Sequence, residues 1–379
     1  MKILIALLFL LHYGTSESNE LEQKMITHGT LSSFSINIVR SDNLDNVLLA
    51  GQDNWNRRAI LQSVAPNGRT NWEFSIDQDE QSVVPYTAVT DVFQANDDTY
   101  VLCMNHTASK SDPRTFFSFY VLDKSGALLS TREISLNATS AHDLLKVQKC
   151  WRDRANIYLA GSTRKLPVSG SIENSESLYW VKTLDNAYRV IKTDFFLSTL
   201  SYAARITDIA ILGHTTFLLG SNGRESEILS TNAITSTENK SIYSSQTRMI
   251  ASKENIFIIS REKNILVVAE LDQSLNTLKS NRFSMSEHEN TFSFFSAGDG
   301  GFKILTTILN GNSSELRLTK LNADLSHAQS TVLGSWKPVA QFAYDSASLK
   351  NGVRALQFSQ YFDKGPVKFK NTLVFISEK

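Results

Sequence analysis

Two apolar segments near the middle of the chain decide the fold: NIYLAGST at 156–163 and, after a polar stretch, LYWVKTLD at 178–185. Short apolar runs bounded by turn residues are typical of buried β-strands. Asn156 at the start of the first run and Asp185 at the end of the second belong to the residues that favour tight turns. The pair therefore predicts two neighbouring strands with a buried environment.

The first of these segments has six further copies in the chain. Each copy is an apolar run next to a polar turn, and the copies are NVLLAG at 46–51, TYVLC at 99–103, TFLLG at 216–220, NIFII at 255–259, GFKIL at 301–305 and GVRAL at 352–356. Their mean spacing of about 50 residues fits a four-stranded propeller blade. We predict an all-β fold, a single β-propeller with seven blades. The spacings vary from copy to copy, so six and eight blades are the alternatives.

The strands around each copy follow a fixed order. An apolar strand precedes the copy, a third strand that often ends in Leu-Asp follows it, and a more polar fourth strand completes the unit, as in STREISL at 130–136. Inner strands that are apolar on both faces suit radially packed sheets. The segment 141–151 can be read as a helix, but its place before the third copy favours an inner strand. A two-domain β-sandwich is the alternative architecture, because it also spaces short strands regularly.

The two ends of the chain complement each other. The last unit has a third strand, TLVFI at 372–376, and then stops without a fourth. Leu21–Thr27 precedes the first unit and has no other role in the pattern. We predict that this N-terminal segment supplies the missing outer strand, because that closes the ring and removes an exposed sheet edge.

The third unit resembles the propeller repeats of many secreted proteins, which run apolar strand, Ala-Gly, loop, apolar strand, Leu-Asp and often Gly. The first unit resembles them through LAG at 49–51 and PNG at 66–68, and the second through LDKSG at 122–126. The other four units are degenerate. The resemblance implies a fold and no catalytic residues, because Gly and Asp in this motif shape turns. WD and kelch signatures are absent from the sequence, so no narrower family is indicated.

The first residues predict export. Met1-Lys2 is followed by the uncharged run ILIALLFLL at 3–11, which is the pattern of a secretory signal peptide. Gly14 and Ser16 suit a cleavage site after Ser16, and Ser16 with Ser18 forms an equally suitable pair. Residues 1–16 are then the signal peptide and 17–379 the propeller domain. The expected location is extracellular, or the periplasm if the source is a bacterium.

Composition and charge limit the partners. The 379 residues carry 38 basic and 38 acidic side chains, so the formal net charge is zero. This balance gives no electrostatic reason to expect nucleic acid or an anionic membrane as partner. No later segment approaches the length of roughly 18 apolar residues that a membrane span requires. We expect no nucleic acid partner and no membrane span.

The chain has two cysteines, Cys103 and Cys150. In an oxidising compartment such a pair can form a disulfide. Cys103 follows Val-Leu in a predicted buried strand, so both residues can equally be small core hydrophobes. The sequence leaves these two alternatives open.

The sequence shows no catalytic, cofactor-binding or metal-binding constellation. The acidic stretches 42–45 and 77–80 lack the spacing of a calcium loop, and no histidine pair has the spacing of a zinc helix. Four aspartates recur at similar places before their repeats, and these are Asp91, Asp143, Asp208 and Asp345. They are the candidates for carboxylates in a central funnel, where propeller glycosidases place theirs. The simpler interpretation is that they are hydrogen-bonded turn or strand-start residues.

Four Asn-x-Ser/Thr sequons occur, at Asn105, Asn137, Asn239 and Asn312. In a eukaryotic secretory pathway they are candidates for N-glycosylation. Asn239 and Asn312 are favoured because they lie in polar stretches.

Two functions follow from these observations. The leading hypothesis is a secreted, non-catalytic propeller that binds an unidentified protein or glycan on one rim, without a cofactor. The stretches 164–177 and 224–241 between strands are long enough to hold such a site. The alternative is an extracellular carbohydrate-active enzyme that uses the four aspartates. Propellers host both kinds of function, so the fold class does not separate them.

Overall fold

The structure is a computed structural model of the whole chain. It describes residues 23–27, 35–53, 58–76, 87–107, 115–136, 146–153, 155–164, 177–200, 204–213, 215–230, 240–244, 247–252, 254–297, 300–337, 340–350, 352–362 and 368–377.

The described residues form 28 strands and no helix. In chain order they are β1 (Gln23–Thr27), β2 (Ser35–Ser41), β3 (Val47–Asp53), β4 (Arg58–Val64), β5 (Thr70–Ile76), β6 (Thr87–Asn96), β7 (Thr99–Thr107), β8 (Thr115–Asp123), β9 (Leu128–Ser135), β10 (Lys146–Arg152), β11 (Ile157–Arg164), β12 (Ser177–Leu184), β13 (Val190–Leu197), β14 (Arg205–Leu212), β15 (Thr215–Ser221), β16 (Glu225–Ser230), β17 (Lys240–Ser244), β18 (Arg248–Ser252), β19 (Asn255–Glu262), β20 (Ile265–Leu271), β21 (Thr277–Ser284), β22 (Glu289–Ser296), β23 (Phe302–Asn310), β24 (Ser313–Leu321), β25 (His327–Trp336), β26 (Ala340–Ser348), β27 (Val353–Phe362) and β28 (Lys368–Ser377).

These strands form seven antiparallel four-stranded sheets; six are hydrogen-bonded in chain order, and in the seventh β1 lies next to β28. Blade 1 contains β2–β5, blade 2 β6–β9, blade 3 β10–β13, blade 4 β14–β17, blade 5 β18–β21 and blade 6 β22–β25, while blade 7 contains β26–β28 and β1. The first strands of neighbouring blades contact one another all the way round, from β2 through β26 and back to β2. The chain is therefore a seven-bladed β-propeller, and the predicted fold and blade count are confirmed. The segment at 141–151 contributes the inner strand β10, as expected.

The ring is closed by the N-terminal strand, as predicted. β1 pairs antiparallel with β28, from Gln23 opposite Ile376 to Thr27 opposite Thr372. Blade 7 thus takes its outer strand from one end of the chain and its three inner strands from the other. Closure by both ends covers the edge that β28 would otherwise expose.

Five hairpins between third and fourth strands share one turn geometry. In each, the N–H of the first turn residue donates to the carbonyl of the fifth turn residue, and a residue with positive φ occupies the fourth position. These fourth residues are Gly68, Gly126, Tyr188, Leu275 and Leu325. The arrangement is a type I turn followed by a left-handed residue, a common hairpin connection. In blades 2, 3 and 5 an Asp at the first position accepts backbone N–H groups of the turn, which explains the Leu-Asp motif.

The core consists of seven apolar clusters, one between each pair of neighbouring blades, in the part of the chain that the structure describes. Side chains of successive strand residues point to opposite faces, and both faces of each blade are covered by a neighbour. This is why the inner strands read as continuous apolar runs in the sequence. No single blade has a core of its own.

The two rims of the propeller differ in their connections. One rim, which we call the turn rim, carries the first-to-second and third-to-fourth connections, and these are mostly tight turns. The other, the loop rim, carries the second-to-third and fourth-to-first connections. On the loop rim the connections of blades 1–3 include 77–86, 108–114 and 165–176, whereas the second-to-third connections of blades 4–6 are only 222–224, 263–264 and 311–312.

One expectation about the connections is wrong. The stretch 224–241 is not a single connection, because β16 occupies Glu225–Ser230 within it. The remaining connection, 231–239, joins a third strand to a fourth, and so it belongs to the turn rim. The connection 165–176 belongs to the loop rim. The strand ends that carry the two stretches therefore lie at opposite ends of their blades, and 165–176 and 231–239 themselves lie outside the described residues.

Candidate functional site

The innermost strands place one residue of each blade beside the central axis. In blades 1–6 the second-strand residue opposite it packs against the following blade, so these six positions are equivalent in register. In blade 7 the residue pairs with Leu356, which packs against the preceding blade 6. The seven residues are Ile38, Asp91, Lys149, Asp208, Arg248, Ser293 and Ser346. In six of the seven inner strands a register shift directly precedes this position. Such bulges re-aim side chains, and they are frequent next to functional sites.

Charged residues of five successive blades meet at this level. They are Arg40, Asp91, Lys149, Asp208 and Arg248, which we call the inner-strand charge cluster. Burial lowers the pKa of the half-buried Lys149 ammonium; Asp208 and Asp91 act in the opposite direction, while Arg40 and Arg248 lower it further. The signs alternate along the ring from blade 1 to blade 5. The cluster therefore carries three cationic and two anionic groups around one side of the axis.

Both aspartates of the cluster bind donors from the inner strands. Asp91 is buried, forms an ion pair with Arg40 at 3.0 Å and accepts the N–H of Val92 at 2.8 Å. Asp208 accepts the N–H of Ile209 and that of Met249, both at 3.0 Å. Since Arg40 and Met249 belong to neighbouring blades, each aspartate joins two blades. Asp91 and Asp208 occupy corresponding positions in their inner strands, as expected, and each links its blade to a neighbouring blade.

Blades 6 and 7 contribute hydroxyl groups at the same level. The Oγ atoms of Ser293 and Ser346 lie 3.1 Å apart, and Nη1 of Arg354 donates to Ser346 at 2.9 Å. The guanidinium of Arg354 also stacks over the ring of Phe295, 3.7 Å from its centroid. The inner surface therefore has a charged arc over blades 1–5 and a hydroxyl arc over blades 6 and 7.

Four further carboxylates are buried among the described residues, and all of them accept structural hydrogen bonds. Asp42 accepts from Tyr100 Oη at 2.8 Å and from two backbone N–H groups. Glu227 accepts from Ser198 and Thr199 of the preceding blade at 2.5–3.0 Å. Glu289 accepts from Thr306 and pairs with Arg317. Glu270 accepts from Asn255 Nδ2 at 2.6 Å.

The remaining candidate aspartates fall outside this description. Asp143 is not among the described residues, and Asp345 is described only as a position in β26. The acidic stretch 42–45 forms the first turn of blade 1, which Asp42 closes through its own hydrogen bonds. The stretch 77–80 lies outside the described residues. No group of three His, Cys, Asp or Glu side chains in the described ranges has a geometry that could hold a metal ion.

The two cysteines lie against each other across the interface between blades 2 and 3. Cys103 of β7 and Cys150 of β10 are fully buried, and their Sγ atoms are 2.9 Å apart as free thiols. Burial raises the pKa of both thiols. The sequence could not place them together, because 46 other residues separate them and only the ring brings the two strands into contact.

Two sequons can be located. Asn105 is buried, its Nδ2 donates to Thr90 Oγ1 at 2.8 Å and to the carbonyl of Val147 at 2.6 Å, and its Oδ1 accepts the N–H of Val147. A glycan on this nitrogen would break the contact between blades 2 and 3. Asn312 is exposed at the tip of the β23–β24 hairpin on the loop rim. Asn137 and Asn239 lie outside the described residues.

Sequence reasoning found the aspartates of the charge cluster and missed its cations. Glycosidases need carboxylates, and that expectation covers Asp91 and Asp208 but not the lysine and arginine at the corresponding positions. The signal for Lys149 and Arg248 was available in the repeat itself, since both precede the apolar copies by similar intervals. The register shifts in the inner strands, which decide which residues face the axis, cannot be recognised in the sequence.

No protein-family model and no curated protein sequence matches the chain. Among solved structures it is similar to the pyrroloquinoline-quinone-bound aldose sugar dehydrogenase of Streptomyces coelicolor, with 9% identity and a TM-score of 0.44 over 93% of this chain and 98% of that one. It is also similar to a chain of a nidogen/laminin complex, with 12% identity and a TM-score of 0.36 over 65% and 80%. A prolyl endopeptidase gives 9% identity and a TM-score of 0.47 over 87% of this chain and 45% of that protein's length. At these identities the likeness concerns the fold alone.

No helix in the described part of the chain is long and apolar enough to cross a bilayer.

Proposed function

We propose that this protein is a secreted, non-catalytic binding propeller, which recognises a protein or glycan on the loop rim of blades 1–3. The observation that carries this proposal is the asymmetry between the blades. The second-to-third connections 108–114 and 165–176 of blades 2 and 3 are far longer than those of blades 4–6, and the fourth-to-first connection 77–86 after blade 1 is longer than 245–247, 285–288 and 337–339 after blades 4, 5 and 6. A rigid scaffold that carries long connections on one side of one face is typical of binding proteins.

The state of the carboxylates supports binding over hydrolysis. Glycosidases of the usual kind need two carboxyl groups that flank the scissile bond, one of them a proton donor. Every buried carboxylate among the described residues accepts hydrogen bonds or pairs with a cation of the scaffold. Lys149 stands between Asp91 and Asp208 in the order of the blades. These groups therefore serve as links between and within blades.

The binding site can be tested by shortening long connections on the loop rim in one variant and on the turn rim in another. In one variant, short turns such as that of 263–264 replace 108–114 and 165–176. In the matched control, a short turn replaces 231–239 on the turn rim. We expect the first variant to lose capture of ligands from extracellular fluid and from a glycan array, and the control to retain it. Circular dichroism verifies that both fold. Retention by the first variant together with loss by the control would refute a site on the loop rim.

The enzymatic alternative has its own test. The folded protein is incubated with a panel of polysaccharides, and the release of reducing ends is measured. Asp91→Asn and Asp208→Asn serve as variants. Release that both substitutions abolish would establish an extracellular carbohydrate-active enzyme and overturn the binding proposal. We expect no release from any polysaccharide of the panel.

Export is a separate part of the proposal. N-terminal sequencing of protein secreted by a eukaryotic host is expected to begin at Glu17, or at Asn19 if the alternative site is used. In that compartment we propose that Cys103 and Cys150 form a disulfide, with a disulfide oxidant accepting the two electrons and two protons of the thiols. Peptide mapping without reduction checks this bond. Secreted protein that retains both free thiols would contradict it.

A further inference from the structure

The outer strand of blade 3 has an unusual surface. In the described part of the chain, β13 pairs only with β12, so its other edge has no strand beside it. Its large apolar side chains are nevertheless exposed: Ile191 by 59%, Phe195 by 62% and Leu197 by 52%. An exposed apolar edge strand is a template for pairing with another chain.

Four other outer strands, β5, β9, β21 and β25, differ from β13. The apolar residues Trp72 and Phe74 of β5 pack against blade 2. The exposed Arg and Lys side chains of β9 and β21 have no acidic residue two positions away, whereas Lys192 of β13 has Asp194 there. β25 is interrupted by two register shifts. In β13 a register shift falls next to Leu184, at the start of the strand, and the ladder from Lys192 to Leu197 is regular.

The sequence of β13 is complementary to itself when it runs antiparallel. Around Thr193 it reads Ile191-Lys192-Thr193-Asp194-Phe195, so a two-fold axis at Thr193 places Lys192 opposite Asp194 and Ile191 opposite Phe195. Within one chain, Lys192 Nζ already lies 3.0 Å from Asp194 Oδ2, and both side chains are accessible. Opposite charges and paired apolar side chains across an antiparallel ladder stabilise it.

We infer that the protein forms a two-fold symmetric homodimer in which β13 of one copy pairs antiparallel with β13 of another. The contact joins the two third blades into one eight-stranded sheet. A two-fold interface uses the same patch on both copies, which a strand with this internal symmetry provides. The dimer covers the exposed Phe195 and Ile191. Lys192 of each copy pairs with Asp194 of the other copy, in place of the ion pair within one chain. This surface lies on the circumference of the ring and does not depend on the proposed binding function.

Charge reversal gives a specific test on the full chain. Asp194→Lys places lysines opposite lysines twice, and Lys192→Asp places aspartates opposite aspartates twice. The double variant K192D/D194K restores opposite charges at both places. In sedimentation velocity over a concentration series, we expect dimers of the unmodified protein. Each single variant should raise the dissociation constant about tenfold or more, and the double variant should return it to within about threefold of the original.

Controls distinguish this interface from non-specific apolar association and from misfolding of the variants. Leu278→Lys removes an apolar side chain that is 52% exposed on the outer strand of blade 5 and should leave the dimer unchanged. Phe195→Lys should weaken the dimer, and the thermal melt of each variant checks its fold. Dimerisation of the double variant requires both charges to be reversed together. A folding defect in either single variant would not be corrected by adding the second substitution. A monomer at all concentrations, or single variants that dimerise like the original protein, would overturn the inference.

Discussion

The third-to-fourth turns of blade 2 and blade 6 have the same backbone conformation. In blade 2 a side chain of the preceding blade fills the space beside the turn, whereas in blade 6 the turn's own side chain is buried against the preceding blade. In blade 2 the residue with positive φ is Gly126, and Trp72 of blade 1 occupies the space beside it, so that a Cβ on Gly126 would lie 2.7 Å from Trp72 Cε3. In blade 6 the same position holds Leu325, with φ at 68°, and its side chain is completely buried in the cluster between blades 5 and 6.

The difference shows that the turn is part of the interface between blades. Tyr188 and Leu275 also pack against the preceding blade from this position, Tyr188 with its ring 4.8 Å from that of Phe119. A non-glycine residue in the left-handed region costs about 1–2 kcal/mol, and burial of a large side chain offsets this. The apolar group can thus come from the turn itself or from the neighbouring blade. Units that are degenerate in sequence are therefore equivalent in structure.

Gly126→Leu should have the largest effect, because it combines both penalties. The new side chain requires an unfavourable φ and overlaps with Trp72, which together lower the free energy of unfolding by about 3–4 kcal/mol. Urea unfolding measures the change. The double variant with Trp72→Ala imitates the blade 6 arrangement and should recover part of the loss. Equal losses in the single and the double variant would show that the two residues do not share one space.

Leu325→Gly should have the next largest effect. Removing a buried leucine costs about 3–5 kcal/mol, and relief of the left-handed strain returns about 1–2 kcal/mol, so the net loss is about 2 kcal/mol. Leu325→Ala retains the strain and should be less stable than Leu325→Gly by about 1 kcal/mol. The reverse order in urea unfolding would show that the backbone of this turn is not strained.

Tyr188→Gly should cost less than Leu325→Gly, because the tyrosine is only half-buried. We expect a loss of about 1 kcal/mol after relief of the strain, measured as a shift of the urea midpoint. If it equals or exceeds the loss for Leu325→Gly, the burial of the side chain is not what distinguishes these turns.

The smallest effect concerns pH. Hydrogen bonds from Ser125 and the turn backbone hold the pKa of Asp123 below its usual value, and those from Arg189 do the same for Asp185. A lowered folded-state pKa contributes stability that is present above the unfolded pKa and is lost as the pH falls through the folded one. The double variant Asp123→Asn/Asp185→Asn should show a smaller fall in melting temperature than the original protein as the pH is lowered below about 4. Asn222 already closes the β15–β16 turn through its Oδ1, so amides can maintain such turns. The exposed Glu254→Gln is the control and should leave the profile unchanged.

The sequence by itself determined the repeat, the order of strands within a unit and the closure by the N-terminal strand. These follow from local patterns, because strand period, turn chemistry and a missing fourth strand can all be read along the chain. It also indicated Asp91 and Asp208, whose spacing before the repeats is regular.

Only the tertiary structure decided what lies across the interfaces between blades. It placed Cys103 against Cys150, buried Asn105, brought Lys149 among charges from four other blades, put 165–176 and 231–239 on opposite rims, and filled the left-handed position with Leu325. The physical reason is the same in each case. A blade buries its faces only against its neighbours, so these contacts join residues far apart in sequence that no local pattern relates.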